Sequence, residues 1–488
     1  MKKYYILLLL ISSIISCKEE PTKSSIAKDP MTYLMETNAN LVLNNPVINS
    51  VTIGVYVDGK TFNGYFGEID KGKGNKPDDN SIFEIASVSK TFAGIIAAHA
   101  VLDGIITLND DIRKYLDGSY PNLEYQGRSI QIRDLLTHTS GIRRDLSPLL
   151  ARVFKTDVTK DEKEAIKNYT RKNLFKELKN FKLDTIPGVR YQYSPLVGSE
   201  ILAVILEKVY QKTYDQLINE FILNKAGMTN TKFKIEGDVI NGYRDEGAQT
   251  EAVVIPMTGA GGGLKSTIPD LQKYIQFLLD DSNPAIKEMQ RFLYADEEED
   301  EDYGYFWRIN NPGFLHNGGT GGSTNWLIVL PQYKLGFTVF FNTNGDTSGD
   351  LINDIAGSLY RDLAIYPKKN PSYLIEKEIK KGIQNGIQFY QKLKKEEGTD
   401  FYFNNGAALN KIAYGLMRED KNADAIEIFK YIVSEFPNEY NPYDSLGEGY
   451  FMDKQYDLAL LNYKRSLELN PENDNAERMI KHINSVKN

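Results

Sequence analysis

The segment Phe83-Glu84-Ile85-Ala86-Ser87-Val88-Ser89-Lys90-Thr91-Phe92 decides how the rest of the chain is interpreted. Ser87 and Lys90 are three residues apart, so on a helix they share one face. A serine hydroxyl is a weak nucleophile unless an adjacent base takes its proton, and a desolvated lysine can be that base. The apolar run from Phe92 to Ala98 predicts a buried helix that begins at this pair. A capping serine followed by a solvated lysine is the alternative interpretation.

The composition limits the classes of protein to be considered. The chain has 488 residues, which is enough for two or more domains, and 41% of them are hydrophobic and 25% charged. A net charge of −8 does not favour nucleic acid as a partner. One cysteine and four scattered histidines do not form a zinc-ligand pattern. We therefore expect a globular protein that uses no metal ion and no cofactor.

Residues 1–16 are typical of a signal peptide, because two lysines precede an apolar run, Ile6 to Ile15, that is too short to span a membrane. The run ends at Ser16-Cys17, which resembles a bacterial lipobox. The resemblance implies lipid on Cys17 and an exported lipoprotein anchored in the outer membrane, on the periplasmic side or at the cell surface. A signal peptide with an incidental cysteine is the alternative. Residues 17–30 are polar and predict a tether.

Residues 31–366 predict one large domain with strands at both of its ends. Val51 to Val57 and Phe62 to Phe66 predict a hairpin, and Asn325 to Leu330 and Gly336 to Asn342 predict two more strands. The economical arrangement pairs these strands in one antiparallel sheet with helices on its faces. We therefore expect an α/β (α+β) fold.

Other segments predict helices and one loop. Leu196 to Tyr210 has the apolar period of a helix, and Gly349 to Ala364 predicts another. Residues 367–403 predict a linker with one connecting helix, Ile375 to Lys395. The acidic run Asp296 to Asp302 predicts a solvated loop, and it lacks the spaced ligands and glycine of a calcium loop.

Residues 404–488 have the period of tetratricopeptide repeats. Ala425 and Ala459 are 34 residues apart, and so are Pro437 and Pro471. A last helix, Asp474 to Val486, would cap the two repeats. The sequence therefore predicts an all-α tail, and repeats of this type imply a protein partner.

Four further segments bear on the role of Ser87. They are Leu135 to Ile142, which contains His138; Pro187 to Pro195, which contains Tyr193; Gly259 to Asp270, which is rich in glycine; and His316 to Gly319. Together with the Ser87 segment, and over about residues 31–365, they resemble the serine β-lactamase-related family of class C β-lactamases, D-alanyl-D-alanine carboxypeptidases and esterases. The resemblance implies an antiparallel sheet flanked by helices, with a helical subdomain.

The resemblance also implies roles for individual residues. Ser87 would be the nucleophile, and Tyr193 with Lys90 would handle its proton. Tyr191 is the alternative tyrosine, but the helix that follows fits Tyr193 better. The family usually has an asparagine two residues after this tyrosine, where it contacts the lysine and the substrate amide. Here Pro195 stands at that place, and proline can make neither contact.

The fourth segment resembles the family's strand beside the active site. There, Gly318 would let the substrate approach the backbone closely. His316 would set the electrostatics beside Tyr193, and the Gly319 N–H would join the Ser87 N–H in an oxyanion hole. His138 and the glycine-rich segment would support the site without taking part in the chemistry.

These expectations lead to one function and one rival. The sequence predicts a serine hydrolase that acts through an acyl-enzyme on an ester, a peptide or a D-amino-acid amide. The rival is a binding protein whose hydrolase domain is weak or inactive and whose repeats recruit a partner. Pro195 motivates the rival, and the intact Ser87, Lys90 and Tyr193 argue against it.

Overall fold

The computed structural model describes residues 28–143, 146–153, 155, 157–234, 239–250, 257, 259–298, 300–310, 312–403 and 406–487. Contacts divide the chain into two units, which we describe separately. The sheet unit is Asn38–Tyr360, and the helical unit is Met1–Thr37 with Arg361–Asn488. The predicted signal peptide, most of the tether and Cys17 lie outside the described residues.

The sheet unit contains an eight-stranded sheet in the order β2-β1-β14-β13-β12-β11-β10-β9, and every neighbouring pair is antiparallel. Smaller sheets have the orders β15-β6-β7, β3-β8 and β4-β5. The strands are β1 Ser50–Val57, β2 Lys60–Gly67, β3 Phe83–Glu84, β4 Glu124–Tyr125, β5 Arg128–Ser129, β6 Gly242–Arg244, β7 Gln249–Thr250, β8 Lys265–Ser266, β9 Tyr294–Asp296, β10 Glu301–Gly304, β11 Trp307–Asn310, β12 Gly313–Gly319, β13 Thr324–Leu330, β14 Leu335–Phe341 and β15 Thr343–Asn344.

The α-helices also follow in chain order, and we refer to them by their bounds. They are Pro30–Leu43, Ser89–Leu102, Ile132–Leu136, Pro148–Arg152, Lys160–Lys167, Arg171–Leu178, Val197–Tyr210, Tyr214–Ile218, Asn224–Ala226, Ile268–Leu278, Pro284–Met289, Asp346–Ala364, Ser372–Ile379, Ile383–Glu396, Ala407–Arg418, Asn422–Glu435, Tyr440–Met452, Tyr456–Leu469 and Asp474–Lys487.

The predicted sheet is confirmed, because the N-terminal hairpin pairs with the last long strand. Val51 of β1 lies opposite Phe341 of β14, and the register continues to Val57 opposite Leu335. Two apolar strands from opposite ends of the domain can bury both faces only if helices cover them. The Ile268–Leu278 helix covers one face.

Glycines in the strands let this helix lie close to the sheet. A Cβ atom at Gly54 would come within 2.6 Å of Ile268 Cγ2, and one at Gly336 would overlap the Ile275 side chain. On another part of the sheet, the Trp326 indole N–H donates to Asn353 of the Asp346–Ala364 helix at 2.9 Å.

The Ser89–Leu102 helix is the centre of the core, and every residue from Ser89 to Ala98 is buried. Gly94 faces the Tyr305 carbonyl oxygen so closely that a Cβ atom would overlap it. The predicted buried helix is therefore confirmed, and the close contact of Gly94 with the main chain at Tyr305 sets its position.

The helical unit differs from one prediction. Ile375 to Lys395 is not a single helix, because the Ser372–Ile379 helix ends before Gly382, which has φ +143°. A residue with a side chain rarely adopts this conformation, so the glycine breaks the helix and starts the Ile383–Glu396 helix.

The five last helices bury the positions that the 34-residue period selects. Ala425 and Phe429 are buried in one helix, and Ala459 and Tyr463 are buried in the helix one period later. Gly447 lies against the Tyr463 ring, and a Cβ atom at this glycine would be 3.1 Å from the ring. The tetratricopeptide assignment itself stays a prediction.

The acidic run Asp296 to Asp302 was expected to be a loop, and this is wrong at both of its ends. Asp296 ends β9, and Glu301 and Asp302 begin β10, with Glu301 opposite Asp296. Tyrosines at 294 and 303 supply the β-forming residues, and charged side chains are common on an outer strand. The two ends of the run are therefore paired strand residues.

Among the described residues, no helix combines the length and the apolar character needed to cross a membrane.

The contact at Gly94 gives a test of how the core helix is held. Gly94→Ala should destabilise the sheet unit by about 2 kcal/mol, because the new methyl group forces the helix away from Tyr305. Urea unfolding followed by tryptophan fluorescence measures this unit alone, since Trp307 and Trp326 are the two tryptophans of the chain. The control is Gly349→Ala in the Asp346–Ala364 helix, where a Cβ atom would have no neighbour within 4 Å. Equal destabilisation by the two substitutions would contradict the close contact.

Candidate active site

Ser87 lies in a tight turn that leads into the core helix. Residues Ala86–Val88 form a 3-10 turn, and Ser89 begins the α-helix. Ala86 has φ +48°, which is an uncommon and strained conformation for a residue with a side chain. The turn leaves Ser87 partly exposed while Val88, Ser89 and Lys90 are buried. The hydroxyl therefore faces a cavity from the end of a rigid helix.

Ser87 accepts two hydrogen bonds from the predicted proton-handling groups. Lys90 Nζ donates to Ser87 Oγ at 2.9 Å, and the Tyr193 hydroxyl donates to the same oxygen at 2.8 Å. Lys90 Nζ also lies 5.3 Å from the centre of the Tyr193 ring. The structure thus brings Ser87, Lys90 and Tyr193 together.

Lys90 is fully buried, and its second contact is one that the sequence did not reveal. Lys90 Nζ donates to the Gly261 carbonyl oxygen at 2.6 Å. Gly261 belongs to the glycine-rich segment, for which we expected a supporting role. A main-chain carbonyl has no side-chain signature, so only the fold identifies it as a partner of the amine.

The main chain around His138 positions the segment that contains Tyr193. The Gln192 N–H donates to the His138 carbonyl at 2.7 Å, and the Ser194 N–H donates to His138 Nδ1 at 3.4 Å. The His138 ring also packs against the Tyr193 ring, with the ring centres 4.5 Å apart. The His138 ring thus packs against the Tyr193 ring, and His138 also accepts hydrogen bonds from the N–H groups of the residues before and after Tyr193.

His138 is an uncharged spacer in this arrangement. Burial lowers the pKa of His138 well below its usual range, and the Lys90 charge and then His316 lower it further. Nδ1 accepts a hydrogen bond, so the proton lies on Nε2, which has no partner among the described residues.

The two residues beside Tyr193 are also placed. Tyr191 stacks on Tyr303 with ring centres 4.5 Å apart, whereas the hydroxyl bonded to Ser87 Oγ is that of Tyr193. Pro195 lies in the wall of the cavity that Ser87 faces. The tyrosine at the nucleophile is therefore Tyr193, and Pro195 contributes an apolar ring to the cavity wall.

Strand β12 lies against the Ser87 turn. His316, Asn317 and Gly319 face the same cavity as Ser87. Gly318 lies against the main chain before Ser87, and a Cβ atom there would lie 2.5 Å from the Ile85 carbonyl oxygen. Glycine is needed at 318 because two main chains touch, which differs from the predicted reason that a substrate approaches there.

His316 is neutral beside this cavity. Its Nδ1–H donates to the Asn317 carbonyl at 2.6 Å, which leaves Nε2 as an acceptor. Burial lowers the pKa of His316 to about 3, with a smaller contribution from the Lys90 charge and an opposing one from the Asn317 carbonyl.

The cavity has a volume of about 910 Å³, which suits a ligand of several residues or rings. Another part of its wall is polar and includes Arg244, Asp245, Glu246, Asn344, Asp346 and Thr347. The arrangement can attack a carbonyl with Ser87 and pass the serine proton to an adjacent nitrogen or phenolic oxygen. That is the chemistry of acyl transfer.

Comparisons with known proteins bear on the family of the chain. The sequence matches the β-lactamase family over residues 39–360. It is 25% identical over 325 residues to Protein flp of Staphylococcus aureus strain MRSA252, which is 63% of this chain and 62% of that protein. It is 26% identical over 340 residues to the D-alanyl-D-alanine-carboxypeptidase/endopeptidase AmpH of Escherichia coli strain K12, which is 62% of this chain and 84% of that protein. The chain thus spans less than two thirds of the staphylococcal relative.

Solved structures of two proteins have the same fold as the sheet unit. A β-lactamase/D-alanine carboxypeptidase from Yersinia pestis, complexed with citrate, superposes with a TM-score of 0.58 at 23% identity, over 68% of this chain and 97% of that chain. A class C β-lactamase superposes with a TM-score of 0.57 at 20% identity, over 70% of this chain and 99% of that chain.

The low pKa of His316 predicts a loss of stability in acid. Below about pH 6.5 the imidazole takes a proton in the unfolded chain but stays neutral in the folded one. The free energy of unfolding is therefore highest above that pH and decreases as the pH falls below it. Between pH 7 and 4.5 the wild type should lose about 2 kcal/mol more than His316→Asn. Urea unfolding followed by tryptophan fluorescence measures the difference.

His482→Asn is the control, because this histidine lies in the last helix of the helical unit. It should keep the acid sensitivity of the wild type. Parallel curves for the wild type and His316→Asn would contradict a neutral His316.

Proposed function

The chain belongs to the β-lactamase family, and on that premise we propose that it is a serine hydrolase that forms an acyl-enzyme on Ser87. One observation supports this most directly. Ser87 Oγ is 2.8 Å from the Tyr193 hydroxyl and 2.9 Å from Lys90 Nζ at the wall of a large cavity. A nucleophile within hydrogen-bond distance of two proton acceptors or donors is the arrangement that covalent catalysis requires.

The reaction has two halves. In the first, Ser87 Oγ bonds to the substrate carbonyl carbon, its proton passes to whichever of Tyr193 and Lys90 is unprotonated, and the leaving group takes that proton as its bond to the carbon breaks. In the second, water attacks the acyl-enzyme and gives a proton to the same groups, and the Ser87 oxygen leaves with a proton. The Ser87 and Gly319 N–H groups would stabilise the oxyanion in both halves. His316 is neutral and therefore adds no positive charge beside the oxyanion.

The proposed substrate class rests on a relative and on one residue of the cavity wall. The proposed substrates are esters, peptides or D-amino-acid amides, and the name of the Escherichia coli relative supports a peptide. The Pro195 side chain has no amide group, so it can neither donate a hydrogen bond to a substrate amide nor accept one from it. We therefore expect esters to react faster than amides, and β-lactam hydrolysis to be the weaker activity.

The location and the tail belong to the same proposal. Ser16-Cys17 at the end of an apolar run supports export and a lipid anchor in the outer membrane. The buried alanines and aromatics at the 34-residue period support two tetratricopeptide repeats, and such repeats support a protein partner for the tail.

The nucleophile can be identified by covalent labelling. A fluorophosphonate should add one adduct to the wild type and none to Ser87→Ala, as measured by intact mass, because only an activated serine reacts. Ser89→Ala is the matched control and should still be labelled. Ser89 is buried, and its Oγ accepts the Leu264 N–H at 3.2 Å.

Absence of an adduct on the wild type, or an equal adduct on Ser87→Ala, would contradict the hydrolase. Either result would favour the rival function, in which the domain binds a ligand without turnover.

The role of the tyrosine can be tested in the same assay. Tyr193→Phe should slow adduct formation by about a hundredfold or more, because the hydroxyl that handles the Ser87 proton is lost. Tyr191→Phe removes a hydroxyl two residues away that does not contact Ser87, and its rate should stay near that of the wild type. If Tyr193→Phe kept the full rate, Tyr193 would have no part in the proton path.

A further inference from the structure

Glu200 is a buried carboxylate that the reaction described above does not use. It lies in the first turn of the Val197–Tyr210 helix and has no exposed surface. A carboxylate without water is costly unless donors meet it. Donors do meet it: the Gly261 N–H lies 2.9 Å from Oε1, Arg171 Nη2 lies 3.4 Å from Oε2, and the Gly259 N–H also faces the carboxylate.

Gly261 connects this carboxylate to the active-site amine. Its N–H donates to Glu200, and its carbonyl oxygen accepts from Lys90 Nζ at 2.6 Å. Lys90 in turn donates to Ser87 Oγ at 2.9 Å. A continuous line of hydrogen bonds therefore runs from Glu200 through one glycine to the amine and the nucleophile.

Gly261 cannot hold this orientation by its own side chain. The same segment contains glycines at 259, 262 and 263, and glycine gives the main chain more conformational freedom than any other residue type. A Cβ atom at 261 would come within 3.2 Å of Leu196 Cα, and the Gly263 N–H donates to the Gly259 carbonyl at 3.2 Å, so packing and one main-chain bond hold the turn as a whole. The Glu200 bond acts on the Gly261 peptide itself.

We propose that Glu200 is a positioning residue for Lys90, because its carboxylate holds the Gly261 peptide so that the Gly261 carbonyl keeps the amine against Ser87. This role rests on the proposed hydrolase function. It predicts that the charge of Glu200, and not only its shape, affects the rate at which Ser87 reacts, since a hydrogen bond to a carboxylate is stronger than one to a neutral amide.

The charges around Glu200 set the pH at which this matters. Arg171 faces it and is shared with Glu207, which Arg171 Nη1 contacts at 2.6 Å. The Tyr214 hydroxyl also faces it and has no partner among the described residues, and Lys90 lies beyond Gly261. Burial raises the pKa of Glu200 to about 7, while Arg171 and then the Gly261 N–H lower it. Glu200 is thus mostly ionised above pH 7 and mostly protonated below it.

The test is the rate of fluorophosphonate labelling of Ser87 between pH 5 and 9. The wild-type rate should fall as the pH is lowered through about 7, since protonation weakens the bond to Gly261. Glu200→Gln keeps the shape and removes the charge, so it should react about tenfold more slowly above pH 7 and lack this fall. The two curves should meet at low pH, where both side chains are neutral.

Glu207→Gln is the matched control, because it removes the other carboxylate on Arg171 and leaves the Glu200 bond to Gly261 in place. It should keep the fall near pH 7. Arg171→Gln covers the case in which Glu200→Gln does not fold, since Arg171 is 30% exposed. Loss of its charge should move the fall to higher pH.

The outcomes separate this role from the hydrolase itself. A wild type that forms no Ser87 adduct would overturn both. A reactive wild type whose pH curve is unchanged in Glu200→Gln, or in Arg171→Gln, would overturn the role of Glu200 and leave the hydrolase standing.

Discussion

The burial of the Lys90 amine against the Ser87 hydroxyl is the interaction on which the rest of the site depends. An amine in the core of a protein is tolerated only where acceptors meet it, and here they are the Ser87 oxygen and the Gly261 carbonyl. These acceptors come from different parts of the chain, so the core helix with its Ser87 turn and the glycine-rich segment must close on one another before the amine is satisfied. The cost of an unmet amine thus ties the folding of the domain to the assembly of its site.

The central group of residues could be predicted from the sequence for a local reason. Ser87 and Lys90 share a helix face because they are three residues apart, and the strands at 51–57 and 335–341 have the apolar runs of a central sheet. Tyr193 was selected over Tyr191 from the start of the following helix. In the structure the Tyr193 hydroxyl contacts Ser87, whereas the Tyr191 ring stacks on Tyr303.

What the sequence did not reveal lies in the main chain and in long-range contacts. Gly261 is 171 residues from Lys90, and its carbonyl is the same atom that every residue has. Glu200 did give a signal, a carboxylate within the apolar run Leu196 to Leu206, but only its contact with Gly261 explains it. The break at Gly382 was missed because the helical period continues on both sides of it, and backbone conformation is not periodic.

The contact between Gly318 and the Ile85 carbonyl has a consequence for how this domain can change. Two main chains in contact fix the spacing between the nucleophile turn and β12, and no side-chain substitution elsewhere in the cavity adjusts it. The polar wall at residues 244–246 and 344–347 consists largely of side chains on turns, on strand ends and at a helix start. Asp245 is held there by the Thr347 N–H and the Ser348 hydroxyl, but Glu246 is exposed, so the domain combines a reacting centre of constant dimensions with a wall that includes replaceable positions. New substrate preferences can arise on that wall, by selection or by design, while the geometry that activates Ser87 is inherited unchanged.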